Sequence, residues 1–356
     1  MRTALLAGGV SVDVRIAQDD FRIALRRDAV TGLTAQPKWM APVWFYDDRG
    51  SALYEQITRL PEYYPFRTER DLLRQQAGEI AEVAGTEVLV ELGSGTSEKT
   101  GLLLEAMARS RAGLAGYVAF DVSEATLRSA AAATAERFDI GVHAIAGDFH
   151  RHLGAIPDVG IPRLVAFLGS TIGNFAPDER HAFLRDVAGV LGPDDRFLLA
   201  TDLVKPVERL VAAYDDSAGV TAEFNRNLLR VLNRELGADF VPSQFDHLAR
   251  WNEEGSCIEM RLCAQQAMGI DLQALDVRIG FAEGEEIRTE ISTKFTPPGV
   301  TAELAAAGMA VVASWTDPAG DYLLTLARSR PNPYCERSRH ELGEAGFGAT
   351  ASLVGG

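Results

Sequence analysis

The segment of this chain best suited to hold a ligand through its backbone is Glu91-Leu-Gly93-Ser94-Gly95-Thr-Ser97-Glu98-Lys99. Two glycines one residue apart allow a tight turn and a close approach to a bound molecule. Ser97 suits the N-cap of a following helix, whose amide dipoles would then face the ligand. A dinucleotide loop would carry a third glycine where Glu98 stands, and a carboxylate beside a pyrophosphate is unfavourable. S-adenosylmethionine has a sulfonium and an amino-acid end but no phosphate, so it tolerates Glu91 and Glu98. Taken alone, the segment also fits a plain strand-to-helix turn.

Two further positions favour the nucleoside. Asp121 ends an apolar run and can accept hydrogen bonds from ribose hydroxyls. In Gly147-Asp148-Phe149, after the next apolar run, the acid can bind an adenine amino group and the phenyl ring can stack on the base. Each alone reads equally as a solvated strand end, but three ligand-suited groups at successive strand ends point to one cofactor site. The acceptor would then meet Leu168-Gly169-Ser-Thr-Ile-Gly-Asn174-Phe175, where the Asn174 amide can orient an amine. A glycine-rich connection with Asn174 as a turn residue is the plainer alternative. Tyr46 and Tyr63 lie in aromatic clusters (Trp44 to Asp47, Leu60 to Pro65) that suit a cationic cofactor and product, or an ordinary domain interface. Strand alternation puts Glu290 and Ser292 on one face, either as a polar pair for the two nitrogens of an imidazole or as a solvent-facing edge. The histidines are scattered, so no metal site is expected.

These groups need a scaffold. Glu87–Leu92, Tyr117–Val122, Val142–Ala146, Arg163–Leu168 and Arg196–Thr201 read as buried strands separated by helical patterns. That alternation predicts an α/β fold with a parallel, Rossmann-like sheet covered by helices. A helix over 302–307 and strands over 309–315 and 321–327, joined by a turn at Thr316 to Gly320, predict a terminal hairpin on that sheet. Residues 205–293 leave the alternation. A helix-rich stretch ends at Gly237, and period-two patterns then run through Ile258, Met260 and Leu262 and through Ile287, Thr289 and Ile291. This is an α+β insert, and the segment 12–67 carries too few strand patterns to start the sheet and is expected to pack with it. Residues 68–204 and 294–330 then form the cofactor domain, and 331–356 a loose tail.

Composition narrows the partners. Apolar residues are 47 % and charged residues 24 % of the 356, enough for a sizeable core, and the net charge is −15. An acidic chain without basic runs is a poor match to nucleic acid. Three cysteines and no CxxC argue against a disulfide framework or zinc and fit a reducing cytoplasm. The apolar start at Met1 to Val10 is too short for a signal peptide to be expected, and no run reaches the ~18 residues of a membrane span. A monomer acting on a small molecule is the expectation.

Longer runs resemble a known family, the histidine-specific Nα-methyltransferases of ergothioneine biosynthesis. They are Trp44-Phe-Tyr-Asp47, Ile57-Thr-Arg-Leu-Pro-Glu-Tyr-Tyr-Pro65, Glu91 to Thr100, Phe167-Leu-Gly-Ser-Thr-Ile-Gly-Asn174, Ala213-Tyr-Asp-Asp216, Gly219-Val-Thr-Ala222, Phe224-Asn-Arg-Asn227 and Trp315 to Asp321. The resemblance spans roughly residues 17 to 328. It implies three methyl transfers from S-adenosylmethionine to the α-amine of L-histidine, giving hercynine. It places cofactor binding on Gly93, Ser94, Lys99, Asp121, Asp148 and Phe149. Histidine binding falls on Tyr46, Tyr63, Gly169, Asn174, Tyr214, Met260, Glu290 and Ser292, with Tyr46 and Asn174 at the reacting amine. Two rivals remain at this stage: the same fold acting on another amine, and a non-catalytic cofactor-binding module.

Overall fold

The computed structural model describes residues 8–16, 18–95 and 99–330. In chain order the strands are β1 (Gly9–Val14), β2 (Lys38–Trp39), β3 (Val88–Leu92), β4 (Gly116–Asp121), β5 (Gly141–Ala146), β6 (Arg163–Phe167) and β7 (Arg196–Asp202). Then follow β8 (Phe245–Asn252), β9 (Cys257–Ala264), β10 (Met268–Leu272), β11 (Val277–Phe281), β12 (Glu286–Thr293), β13 (Met309–Thr316) and β14 (Tyr322–Ser329).

The principal sheet has the order β1-β5-β4-β3-β6-β7-β14-β13. The strands from β1 to β7 in that row run parallel, and β14 and β13 close it as an antiparallel hairpin. Every residue of β3, β5 and β6 is buried, as expected of strands covered on both faces. Alternate residues feed two cores. Val90, Phe120, Phe167 and Phe197 meet Phe183 and Val187 of helix Pro177–Val190. Leu89, Tyr117 and Leu164 meet Leu72 and Leu73 of helix Tyr64–Ala84 and Leu103, Leu104 and Met107 of helix Thr100–Arg109. Strand order reverses between β3 and β6, so the loops leaving their carboxyl ends flank a crevice.

The insert builds a second sheet, β2-β12-β9-β8, and the hairpin β10-β11. Helices Val207–Tyr214 and Val220–Leu236 cover it. Its core joins Leu25, Ala29, Trp44 and Phe45 from the N-terminal stretch to Phe224, Leu228, Met260 and Ile287. That stretch therefore packs with the insert, with one correction. Gly9–Val14 is an edge strand of the principal sheet, paired in parallel with β5, and Ser11 Oγ bonds His143 Nδ1 at 2.8 Å. Its pattern is weak because an edge strand buries little: only Val12 packs into the sheet core. The expected boundary at residue 12 falls inside this strand.

Asp47 fastens the N-terminal stretch to the insert. One carboxylate oxygen accepts the Gly50 N–H at 2.8 Å, capping helix Asp48–Ile57, and the Asn227 amide at 2.7 Å. The other accepts Arg234 at 2.7 Å. Asp47→Ala removes the cap and strips a buried amide of a partner, so it should destabilise the fold by about 2 kcal/mol, seen as a lower urea midpoint. An unchanged midpoint would refute this role.

Candidate active site

The donor side begins with the bend after β3. Gly93 (φ +74°) and Gly95 (φ +48°) take left-handed conformations that disfavour other residues. The Gly93 and Ser94 N–H groups both donate to the Phe120 carbonyl, at 2.7 and 3.1 Å. Gly95 N–H donates to one Asp121 carboxylate oxygen at 2.9 Å and Ser123 N–H to the other at 3.1 Å. Each oxygen keeps a lone pair for a ligand hydroxyl. The Ser94 hydroxyl is buried without a partner among the described residues. Ser97, expected as an N-cap, and Glu98 lie outside the described residues. Asp148 caps the short turn Phe149–His152 by accepting the His150 N–H at 2.9 Å. The half-buried Phe149 ring rests on Phe167 and Phe183, with centroids 5.4 and 5.8 Å away.

Glu91 is buried beneath the bend and braces it, accepting from Thr100 Oγ1 and from the Tyr117 hydroxyl at 2.9 Å. Burial raises its carboxyl to about 7 against those two hydrogen bonds. Lys99 pairs with Glu69, whose other oxygen accepts the Gly169 N–H at 2.7 Å. Glu69 is 1 % exposed and ties the loop after β3 to the loop after β6. Sequence reasoning missed it. Its signal is positional: Glu69 interrupts the buried stripe Pro65, Leu72, Leu73, Ala77 of its helix.

On the acceptor side, Gly169 takes a left-handed turn (φ +77°), where an added Cβ would lie 3.3 Å from Thr171 Oγ1. Ser170 is left-handed (φ 54°), and its hydroxyl accepts the Asp202 N–H at 2.9 Å. Asn174 ends the short helical turn Thr171–Asn174, half-buried, with no hydrogen bond from the described residues to its side-chain amide. At Gly173 a Cβ would stand 2.8 Å from the Thr293 carbonyl, so β12 lies directly against this turn.

The wall opposite is tyrosine-rich. Ring centroids step from Tyr46 to Tyr54 (5.8 Å), Tyr54 to Tyr63 (6.3 Å) and Tyr63 to Tyr214 (6.3 Å), and Phe224 lies 5.6 Å from Tyr46. Tyr54 was absent from the sequence expectations because its spacing with Leu53 and Ile57 reads as a core stripe. Tyr46, 44 % exposed, is within electrostatic reach of both Glu290 and Asp121 and so spans the two sides.

Glu290 pairs with Met260 across the β12–β9 ladder, after a bulge between Arg288 and Glu290. The bulge changes the expected simple alternation: Ile287 and Thr289 are buried, and Thr289 donates to the Met260 carbonyl at 3.0 Å. Burial raises the Glu290 carboxyl to about 7 although Lys294 pulls it down, and no described group hydrogen-bonds to it. Ser292 Oγ lies 2.7 Å from the Tyr214 hydroxyl and 2.9 Å from Lys294 Nζ. Lys294 also donates to Tyr214 at 2.8 Å and pairs with Asp202 at 2.9 Å. Behind Tyr214, its carbonyl is 2.8 Å from His247 Nε2. The Asn225 amide donates to His247 Nδ1, so Nε2 carries the ring proton.

The structure thus gathers Tyr46, Tyr63, Tyr214, Met260, Glu290 and Ser292 on one wall and Gly169 and Asn174 on the facing turn. Gly93, Ser94, Lys99 and Asp121 lie at the base. Asp148 and Phe149 continue that base, since Gly147 N–H donates to the Asp121 carbonyl at 2.9 Å.

Comparison with known proteins gives the family. The family model described as "Histidine-specific methyltransferase, SAM-dependent" matches residues 25–329. A histidine N-alpha-methyltransferase of Mycolicibacterium smegmatis is 56 % identical over 313 residues, covering 88 % of this chain and 97 % of the relative. Its counterpart from Mycobacterium tuberculosis is 51 % identical over 319 residues, covering 89 % and 99 %. Ergothioneine biosynthesis protein 1 of Neurospora crassa is 30 % identical over 323 residues, covering 87 % of this chain and 36 % of that longer protein. With two mycobacterial relatives matched nearly end to end and the family model spanning both sheets, the chain belongs to the S-adenosylmethionine-dependent histidine-specific methyltransferases.

Proposed function

We propose that this crevice carries methyl groups from S-adenosylmethionine to the α-amine of L-histidine three times in succession, giving hercynine for ergothioneine synthesis. The observation that carries the reading is Glu290: a half-buried carboxylate without a hydrogen-bond partner among the described residues, beside the Ser292 hydroxyl and facing a turn that ends in an Asn174 amide that no described residue engages. A carboxylate acceptor and a hydroxyl match the two nitrogens of an imidazole. An apolar side chain would leave both unmet, a loss of about 1–3 kcal/mol per group. The same fold acting on another amine is therefore the weaker reading.

The donor residues fit the cofactor. The bend with two left-handed glycines leaves room for it, Asp121 keeps lone pairs for ribose hydroxyls, and the Ser94 hydroxyl awaits a partner. When bound, S-adenosylmethionine supplies an electrophilic methyl on sulfur, and the protein's task is to align the amine with it and exclude water. Asn174, Tyr46 and Tyr63 hold the amine and carboxylate of histidine, and Tyr214 stands behind Ser292 at the imidazole end. A free α-amine titrates near ~8, so an attacking lone pair is available without a strong base. Each transfer but the last leaves a proton on nitrogen that must go to solvent before the next. Tyr46, the exposed tyrosine of the wall, is the route outward.

We further read 68–204 and 294–330 as the methyltransferase domain and the insert 205–293 as the substrate domain, joined there by the N-terminal stretch after β1. A monomer in the cytoplasm accords with the free Cys257 and Cys263. No helix among the described residues is long and apolar enough to cross a membrane.

Incubation with histidine and S-adenosylmethionine should give a product heavier by three methyl groups in mass spectrometry. A product formed only on another amine, or none, refutes the reading. Glu290→Ala should weaken histidine binding about 10- to 100-fold by calorimetry, in line with a lost charged hydrogen bond, with the cofactor affinity within about twofold. Equal loss of both excludes the imidazole role. Glu290 also has a stability signature. A buried carboxyl raised to about 7 from 4.5 destabilises the ligand-free fold fully above pH 7 and not at all below 4.5. Thermal unfolding of ligand-free Glu290→Gln should therefore exceed wild type most at pH 8, the gap shrinking toward pH 5. A gap that grows on acidification would contradict the assignment.

A further inference from the structure

One buried cation stands outside the roles assigned so far. Lys294 is 2 % exposed and points toward the imidazole end of the crevice. An ammonium has three protons to donate and accepts none. All three are used: Asp202 Oδ2 at 2.9 Å, the Tyr214 hydroxyl at 2.8 Å and the Ser292 hydroxyl at 2.9 Å. Asp202 is held as a carboxylate by Lys205 and by the Tyr64 hydroxyl at 2.7 Å, so Lys294 keeps its charge.

Proton counting then fixes what the hydroxyl pair offers a ligand. Tyr214 Oη and Ser292 Oγ each accept from Lys294 and lie 2.7 Å apart, so one must donate to the other. A phenol is far more acidic than an aliphatic hydroxyl and is the better donor. Tyr214 therefore donates to Ser292. The serine oxygen, with two lone pairs, is then filled by Lys294 and Tyr214. Its own proton is left over and has no described protein acceptor. Ser292 can give a hydrogen bond to a ligand but cannot receive one. In its ionised form, which the ring N–H stabilises on binding, Glu290 can only receive.

We propose that Lys294 is a positioning residue that makes Ser292 an obligatory donor and so restricts the bound side chain to a neutral imidazole in a single tautomer. The ring's bare nitrogen accepts from Ser292 and its N–H donates to Glu290. An imidazolium is refused because its second N–H would meet a filled oxygen, and a ring lacking the bare nitrogen is refused because the serine proton would be stranded. This rests on the histidine reading above. The charged and titratable groups about the pair are Asp202, Lys205, Tyr64 and Tyr214 behind it and Glu290 in front.

The test uses the wild-type protein with S-adenosylhomocysteine and ring-15N histidine at pH ~6.5, where free imidazole is about half protonated. The nitrogen spectrum of the bound ring should show one protonated and one bare nitrogen in a single tautomer. Two protonated nitrogens, or exchanging tautomers, overturn the proposal while leaving histidine as the substrate. Absence of histidine binding overturns the functional reading itself. Lys294→Met supplies a second measure. Wild type should bind histidine at least tenfold more tightly than the analogue whose pyrrole ring keeps the N–H but lacks the bare nitrogen. In the variant that preference should fall to within about threefold, with S-adenosylhomocysteine affinity unchanged. A merely structural lysine would weaken both ligands alike and leave the preference intact, which overturns the assignment. A variant that fails to fold leaves the wild-type spectrum and the wild-type preference to decide.

Discussion

The architecture turns on one carboxylate that has to be neutralised. Asp202 ends β7 and is 1 % exposed. A lone buried charge is strongly unfavourable, and removing one member of such a cluster typically costs about 3–5 kcal/mol. Its partners come from three places: Tyr64 from the helix before β3, Lys205 from the chain leaving the sheet, and Lys294 from the chain leaving the insert. The backbone reinforces the knot. Phe295 N–H donates to the Asp202 carbonyl at 2.8 Å, and Asp202 N–H donates to the Ser170 hydroxyl of the acceptor turn. Lys205 and Tyr64 already meet the strand end, and the returning insert adds a second ammonium to it, which ties Ser292, two residues before Lys294, to the core.

A second tie sets the width of the crevice. Glu69 receives Lys99 on one oxygen and Gly169 N–H on the other, so the loops after β3 and β6 are held by a single buried side chain. The close passage of Gly173 under the Thr293 carbonyl sets the third side. Donor bend, acceptor turn and imidazole wall are thus fixed to one another by groups that need touch no ligand. This is how a site made from widely separated stretches of chain keeps the alignment that in-line transfer demands.

Much of this was legible in the sequence, and the limits have physical causes. The five central strands announce themselves because burial on both faces demands largely apolar runs, as in Leu164 to Phe167. The glycine bend and the acids at strand ends could be read because turn geometry and topology restrict what can stand there. β1 escaped because an edge strand half in solvent needs no such run. The bulge before Glu290 escaped because a register slip leaves no mark in alternation. Glu69 and Lys294 escaped for a shared reason: each is defined by a partner more than thirty residues away or on another domain, and no local pattern announces a charge that long-range contact will bury. Tyr54 was hidden by serving core and wall at once.

On the proposed threefold methylation, the tyrosine wall answers a difficulty peculiar to repeated transfer to one nitrogen. The amine begins with hydrogens that can be held by amide and hydroxyl acceptors. Each transfer replaces one, and a nitrogen bearing three methyl groups has none left. Hydrogen bonds that align the first attack are thus progressively lost. What grows instead is a diffuse positive charge on methyl carbons, which aromatic faces attract at about 0.5–2 kcal/mol per ring and which needs no hydrogen. Tyr46, Tyr54 and Tyr63 stand in succession with Phe224 behind them, and Asn174 offers the one directional partner opposite. A carboxylate at that point would grip the cationic product and would hold the starting amine protonated, disabling its lone pair. In the proposed reading the site's own carboxylate, Glu290, stands at the imidazole end instead, where it selects the side chain without meeting the nitrogen that reacts.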